Sequence, residues 1–317
     1  LEIYNNVFSI YDIEGKLIHS QDLESLPKNN KIGGLPKTIT FSNGSKFVAD
    51  DSNLNYLPDS LLSNLLNALY GNFRIILLIT IISPLAFWVL TFNAIPLLAN
   101  FSAELVPQNT KVIISKRIKN ELLESILNKS ELPGEEQIKT IDLIDKKLFT
   151  LPLKNKYSLS FYDSDFLGAN AIALPDGTII FTDALVSKLK DYPDALIAVM
   201  LHEIGHVEHN HGIRSILETI GISMAFSYLI GDVQGISELI VGSSIGMLQL
   251  SFSRGMEKEA DIFSIQNLKR LKIPEESLIT GLEKIISSED SKNDAFNKYL
   301  NSHPLLEERV NLVKSFD

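Results

Sequence analysis

The sequence predicts an α+β fold: a mainly helical domain over 100–317 carrying a small β-sheet beside one helix, preceded by a small β-rich module over 1–70 and one transmembrane helix over 72–99. Three observations predict it. Apolar residues recur at three- and four-residue intervals through most of the second half, the period of a helix with one buried face. Short β-prone runs bounded by Asn, Asp and Gly fill residues 1–60 and return at 157–181. Between Arg74 and Glu104 there is no charged residue at all, and a run of ~20 apolar residues suffices to cross a bilayer.

In chain order, Tyr4–Tyr11 and Lys16–His19 are expected as strands around the turn Asp12-Ile13-Glu14-Gly15. Thr38–Phe41 and Lys46–Val48 flank Ser42-Asn43-Gly44-Ser45, and Asn-Gly between β-prone runs signals a hairpin. No pattern in this module points to catalysis. Leu1 to Asp12 has neither the basic nor the apolar region of a signal peptide. The apolar stretch Ile75–Ala103 contains Pro84, which is tolerated in a lipid-embedded helix and awkward in a soluble one. A buried core helix is the alternative. Beyond it, Ile118, Leu122, Leu123 and Ile126, then Ile138, Ile141, Ile144 and Leu148, mark two helices separated by Pro133-Gly134.

Tyr157–Tyr162 alternates as a strand, and Ala169–Leu174 and Thr178–Phe181 form a hairpin around Pro175-Asp176-Gly177. A helix is expected over Asp191–His211, capped by Asp191, with Pro193 in its first turn and Gly212 as its terminator. Two apolar runs follow, Thr219–Gly231 and Leu239–Ser253, separated at Asp232, Gln234 and Gly235. They fit equally a buried helical hairpin or one that dips into the membrane. Ser253–Leu271 should be a helix stopped before Pro274, and the remainder helical to the end.

Composition narrows the function. The chain has 317 residues, 45% of them hydrophobic and 21% charged, enough to bury a large core. Its formal net charge of -10 argues against nucleic acid as a partner, because phosphate neutralisation needs clustered Lys and Arg. The absence of Cys excludes disulfides, thiolate-held zinc and cysteine nucleophiles.

The residues that carry chemistry are His202-Glu203-Ile204-Gly205-His206. On a helix, residues four apart share a face, so both imidazoles can reach one metal ion, while Glu203 beside them can take a proton from water. The bland alternative is a polar helix face with two incidental histidines. Gly205 is costly inside a helix by about 1 kcal/mol relative to Ala, which makes sense where something must approach closely. A zinc catalyst needs a third protein ligand and an open position. Glu257 and Asp261, again four apart, are the candidates: Glu257 for the metal and Asp261 as hydrogen-bond acceptor for a ligand His. Such acidic pairs are also common on solvated helices. Glu259 is expected to point elsewhere, His19 to lie on a surface strand, His209 to be solvated and His211 to make a helix-end contact.

With these residues in place, the chain resembles the zinc endopeptidases that include the CAAX prenyl protease, the bacterial heat-shock membrane protease HtpX, the mitochondrial OMA-type protease and the periplasmic protease-chaperone BepA. The resemblance rests on His202–His206 followed by Ser253-Arg254…Glu257…Glu259-Ala260-Asp261, on Asn170-Ala171-Ile172-Ala173-Leu174-Pro175, on His211-Gly212, and on Ser302-His303-Pro304…Glu308-Arg309. It covers about 100–317. Ile172 and Asp176 depart from the family's Phe and Gly. The N-terminal module and single anchor resemble a membrane-bound bacterial branch.

The resemblance implies a gluzincin-type peptidase domain that hydrolyses internal bonds of protein or peptide substrates. It implies one Zn2+ per chain held by His202, His206 and Glu257, Glu203 as the base, and Asp261 behind a ligand. His303 and Arg309 would stand near the reacting water as oxyanion stabilisers. Without the resemblance, His303 beside Pro304 is a helix cap; occupation of the open zinc position in a latent state is a third role for it. Asn170, Ala171, Ile172 and Ala173 are expected as an exposed edge strand that grips extended substrate. A lipid bilayer is the other expected partner, in membrane-associated protein quality control at the bacterial inner membrane, single-pass. Arg74 stands before the anchor while Lys111, Lys116, Arg117 and Lys119 follow it, which puts the catalytic domain in the cytoplasm; moving a folded N-terminal module outward opposes that. The rival functions are a protease-like chaperone or binding protein with a structural zinc, and a zinc hydrolase of other amides or esters. A structural site has no need of Glu203.

Overall fold

A computed structural model describes residues 2–5, 7–22, 37–40, 46–49, 73–230, 252–286 and 306–315. It divides into two compact units, Leu1–Trp88 and Val89–Asp317. The mainly helical α+β architecture expected from the sequence is present.

In the first unit, strands β1 (Glu2–Tyr4), β2 (Val7–Tyr11) and β3 (Leu17–Asp22) form an antiparallel sheet in that order. The single strand expected over Tyr4–Tyr11 is therefore two. Asn5 adopts φ 50°, a left-handed conformation that Asn tolerates, and Tyr4 turns back to pair with Val7. The Asp12 turn is as expected, with the Asp12 side chain accepting from the Glu14 and Lys16 amides. Strands β4 (Lys37–Thr40) and β5 (Lys46–Ala49) pair antiparallel, as predicted; the Asn43-Gly44 turn lies outside the described residues.

The apolar stretch is helical throughout: α1 (Phe73–Val89), one π turn (Leu90–Ala94) and α2 (Ile95–Leu105). Arg74–Leu105 is long and apolar enough to cross a membrane, with a mean hydropathy of 2.5 and only 6% of its most apolar window buried. Ile81, Leu85, Trp88 and Phe92 all face outward, which is unlike a buried core helix.

The second unit places the site. Helices α3 (Gln108–Ser125) and α4 (Gly134–Leu148) stand where the periodicity put them, and Pro133 caps the second. Strands β6 (Asn128–Lys129), β7 (Ser158–Asp163), β8 (Ala171–Ala173) and β9 (Thr178–Thr182) make one sheet in the order β6-β7-β9-β8. β8 and β9 form the expected hairpin, with β8 at the sheet's edge. Gly177 closes it at φ 97°, where a Cβ would lie 2.1 Å from the Lys156 carbonyl oxygen.

After α5 (Asp183–Leu189) comes α6 (Pro193–Glu208), which is buried along almost its whole length against α8 (Arg254–Leu271) and α9 (Glu276–Ile286). Both of its expected ends are corrected. The N-cap is Tyr192, without a side-chain bond, rather than Asp191. The helix stops at Glu208 because Asn210 turns left-handed at φ 55° and is held there by the Lys111 ammonium from α3. His211 and Gly212 then open a new helix, α7 (His211–Ile230), instead of closing the old one. The run Thr219–Gly231 falls largely in α7; Leu239–Ser251 lies outside the described residues. α7 packs on α2, where a Cβ on Gly221 would sit 2.8 Å from Ile95 Cγ2. α8 is capped by Ser253, whose hydroxyl accepts from the Met256 amide, and ends with Lys272 left-handed before Pro274. α10 (Leu306–Lys314) closes the chain.

Candidate active site

α6 supplies His202, Glu203 and His206, all 2% exposed. It can do so because Gly205 lets α8 cross directly over it: a Cβ there would be 3.0 Å from Ala260 Cα and 3.1 Å from the Ala260 carbonyl oxygen. The close approach brings Glu257 and Asp261, one turn apart on α8, down to the two imidazoles.

The Nε2 atoms of His202 and His206 face each other at 3.0 Å, and the Glu257 carboxylate lies 3.5 Å from each. Tetrahedral zinc with ~2.0–2.1 Å bonds holds its ligand atoms roughly 3.3 Å apart, so the spacing of this triangle fits the ion. The donor set, two imidazoles and a carboxylate, is the three-ligand set of a hydrolytic zinc site.

Behind the triangle each imidazole is held at its other nitrogen. His202 Nδ1 donates to Asp261 Oδ1 at 2.8 Å. Arg309 of α10 grips both oxygens of Asp261, through Nε at 2.8 Å and Nη2 at 2.7 Å, and brings Nη1 to 3.6 Å from Glu257. Asp261 is fully buried and Arg309 is 4% exposed. Burial pushes the Asp261 carboxyl up, but Arg309 and His202 outweigh it and hold the group below its ordinary range. Burial and Arg309 push His202 down, yet its bonds to Asp261 and Glu257 prevail and raise it to about 9. On the other side, His206 Nδ1 lies 2.9 Å from His211 Nδ1, and His211 Nε2 lies 2.9 Å from Glu259 Oε2. Arg214 donates to that same Glu259 oxygen at 2.7 Å.

The structure thus brings together His202, Glu203, His206, Glu257, Asp261 and Arg309. Asn170 and Ala171 join them, lining a narrow cleft with His202, Glu203 and Arg309. His303 lies outside the described residues. Arg309 differs from the expected oxyanion donor, since two of its nitrogens are engaged by Asp261. Glu259 does point away from the triangle but is not idle, and His211 is more than a helix-end contact. His209 is exposed, as expected, and stacks beside His211; His19 sits half-buried in β3. Sequence reasoning missed the group His211, Glu259 and Arg214 entirely.

The strand expected to be exposed lies at the sheet's edge but is partly covered, with Asn170 and Ala171 buried and Asn170 just before β8, and it has a definite polarity. Thr182 donates to the Asn170 carbonyl at 3.0 Å and Leu174 donates to the Thr178 carbonyl at 2.8 Å, so even-numbered residues bond inward to β9. The odd residues Ala171 and Ala173 turn their backbone groups outward. The Ala171 amide is occupied by Asn170 Oδ1 at 2.8 Å, which leaves the Ala171 carbonyl and the Ala173 amide and carbonyl facing away from the sheet.

Residues 135–316, more than half of the chain, match the profile of Peptidase family M48. Among known proteins, Metalloprotease LoiP of Escherichia coli K12 is 28% identical over 150 residues, covering 46% of this chain and 57% of LoiP. Metalloprotease YcaL of the same organism is 24% identical over 194 residues, 60% of this chain and 72% of YcaL. The Beta-barrel assembly-enhancing protease of Escherichia coli K12 is 28% identical over 151 residues, 44% of this chain and 31% of that protein. The match thus spans little more than half the length of the first of these relatives and about a third of the last.

Proposed function

We propose that this chain, which belongs to peptidase family M48, is a membrane-anchored zinc metalloendopeptidase that cleaves internal bonds of protein substrates. The observation that carries the reading is the buried triangle of His202 Nε2, His206 Nε2 and the Glu257 carboxylate, with Glu203 lining the same narrow cleft as His202. His202, His206 and Glu257 would hold the ion, one per chain. Zinc there would supply Lewis-acid polarisation of the scissile carbonyl and a lowered pKa for water. Glu203 takes the proton from the attacking water and delivers it to the leaving amine. Asp261 holds His202 in the tautomer that frees Nε2, and Arg309 holds Asp261. Ala171, Ile172 and Ala173, with Asn170 just before them, are the segment along which an extended substrate would pair through outward backbone groups, which favours broad sequence tolerance and a role in protein quality control.

The outward-facing apolar residues of Arg74–Leu105 support a single membrane span, and the bacterial inner membrane is the proposed location. The range 1–70 is proposed as a separate β-rich module, 72–99 as the anchor and 100–317 as the peptidase domain. His303 is proposed as the oxyanion donor: His303→Ala should lower kcat by ~100-fold or more with zinc retained, whereas a rise in activity would make it a latch instead.

The deciding experiment uses the purified full chain with an unfolded protein and with small esters. Wild type should cleave the protein, and Glu203→Gln should keep its zinc and lose cleavage, because the side chain is not a ligand. Full cleavage by Glu203→Gln, or loss of its metal, would overturn the assignment. Activity on esters alone would make the chain a hydrolase of another class.

A further inference from the structure

The two imidazoles at the centre are supported differently. His202 rests directly on Asp261, whereas His206 rests on a third imidazole. The proton positions follow from the chemistry. A neutral His that offers its Nε2 lone pair to a metal carries its hydrogen on Nδ1. His206 Nδ1 therefore donates across 2.9 Å to His211 Nδ1, which must be unprotonated there. The hydrogen of His211 then sits on Nε2, where Glu259 Oε2 accepts it at 2.9 Å. Arg214 compensates the carboxylate from one turn further along α7. Each ring nitrogen of His206 and His211 then has one consistent role.

Packing fixes the same geometry. His211 is fully buried, and Phe252 stacks on the His206 ring with centroids 4.0 Å apart and planes 23° apart. Glu259 and Asp261 lie two residues apart on α8, so one short stretch of helix carries the carboxylate behind each imidazole. Asp261 reaches its imidazole directly under Arg309. Glu259 reaches its own through His211, under Arg214.

We propose that His211 is a positioning residue: with Glu259 and Arg214 it fixes the tautomer and ring plane of His206 and so sets how tightly the site holds its metal. The inference rests on the zinc reading above. His209, His211 and Glu259 could instead hold a second cation, since their ligand atoms lie within 4.8 Å of one another. The ion pair between Arg214 and Glu259 favours the relay, because a cation there would have to displace the guanidinium.

The test compares wild type with His211→Phe, His211→Gln and Glu259→Leu in the full chain. It reads zinc affinity by chelator competition, the visible spectrum of the cobalt-loaded protein, and thermal unfolding without metal. Phe keeps a ring and removes both hydrogen bonds; the Gln amide restores one acceptor and one donor. His211→Phe should weaken zinc by ~10–100-fold and alter the cobalt bands, His211→Gln should recover most of the loss, and Glu259→Leu should fall between. Should His211→Phe not fold, Glu259→Leu carries the test, because Glu259 is half-exposed. Wild-type zinc affinity and cobalt bands in either folded variant would overturn the proposal. So would a second wild-type zinc that disappears in His209→Ala. Both outcomes leave the metallopeptidase reading standing; that reading fails separately if wild type itself binds no zinc or cleaves no protein.

Discussion

Gly205 of α6 faces Ala260 of α8 so closely that a Cβ built on it would stand 3.0 Å from the Ala260 Cα. The two helices carry all the residues of the candidate metal triangle, so this contact sets the distance between the His pair and Glu257. Backbone atoms on the far side cannot yield as a flexible side chain could.

Gly205→Ala gains about 1 kcal/mol of helix propensity. It also forces two backbones apart, and overpacking of this kind costs ~1–3 kcal/mol. A net loss is expected for Ala and a larger one for Val. Zinc content should fall in step, since separating the helices stretches the triangle. Thermal unfolding and metal analysis of Gly205→Ala and Gly205→Val check this; a Val variant with normal stability and full zinc would show that the crossing does not control the site.

Asp261 and Arg309 form a buried ion pair whose two members behave differently when removed. Asp261→Leu should weaken zinc by ~10–100-fold by releasing His202. It should also cost ~3–5 kcal/mol, because Arg309, itself buried, loses the carboxylate that its Nε and Nη2 bind. Adding Arg309→Leu to Asp261→Leu should restore much of the stability and none of the zinc affinity. Recovery of both together would assign the pair a purely structural role.

The core of the site was legible in the sequence because its logic is local. Spacing of four on a helix puts His202 with His206 and Glu257 with Asp261, and one costly Gly marks the crossing. What escaped depends on where a helix stops. On an unbroken helix His211 would lie about 140° around the axis from His206, at ~100° per residue, and could not touch it. The chain breaks at Asn210 instead of Gly212. Either residue suits a left-handed turn, and the choice is made by Lys111, far away in sequence, which binds Asn210. Only after that break does His211 swing back to His206. The division of Tyr4–Tyr11 at Asn5 has a similar origin: an Asn turn hidden inside a run of β-prone residues.

The polarity of β8 decides which substitution tests substrate pairing. Ile172 bonds inward to β9, so a proline there would damage the sheet as well as any substrate contact. Ala173 points its amide outward. Ala173→Pro should raise KM for a peptide several-fold with kcat, zinc content and unfolding temperature little changed. An unchanged KM would remove β8 from the substrate groove.

The proton held by His202 predicts how zinc binding depends on pH. Its folded, metal-free pKa is raised to about 9, because the hydrogen bonds to Asp261 and Glu257 outweigh burial and Arg309. The unfolded value is ~6.5. A raised pKa stabilises the metal-free fold fully below pH ~6.5, and that contribution is lost as pH rises through about 9. Zinc needs the same nitrogen without its proton, so metal and proton compete. Zinc affinity should therefore tighten between pH 6.5 and 9 while the metal-free protein becomes less stable over the same interval. Calorimetry at pH 7.5 in buffers of different ionisation enthalpy should show proton release on zinc binding. Release should shrink in Asp261→Leu, where the main support for the charged imidazole is gone. Zinc uptake without proton release at pH 7.5 would mean that His202 is already neutral in the metal-free site.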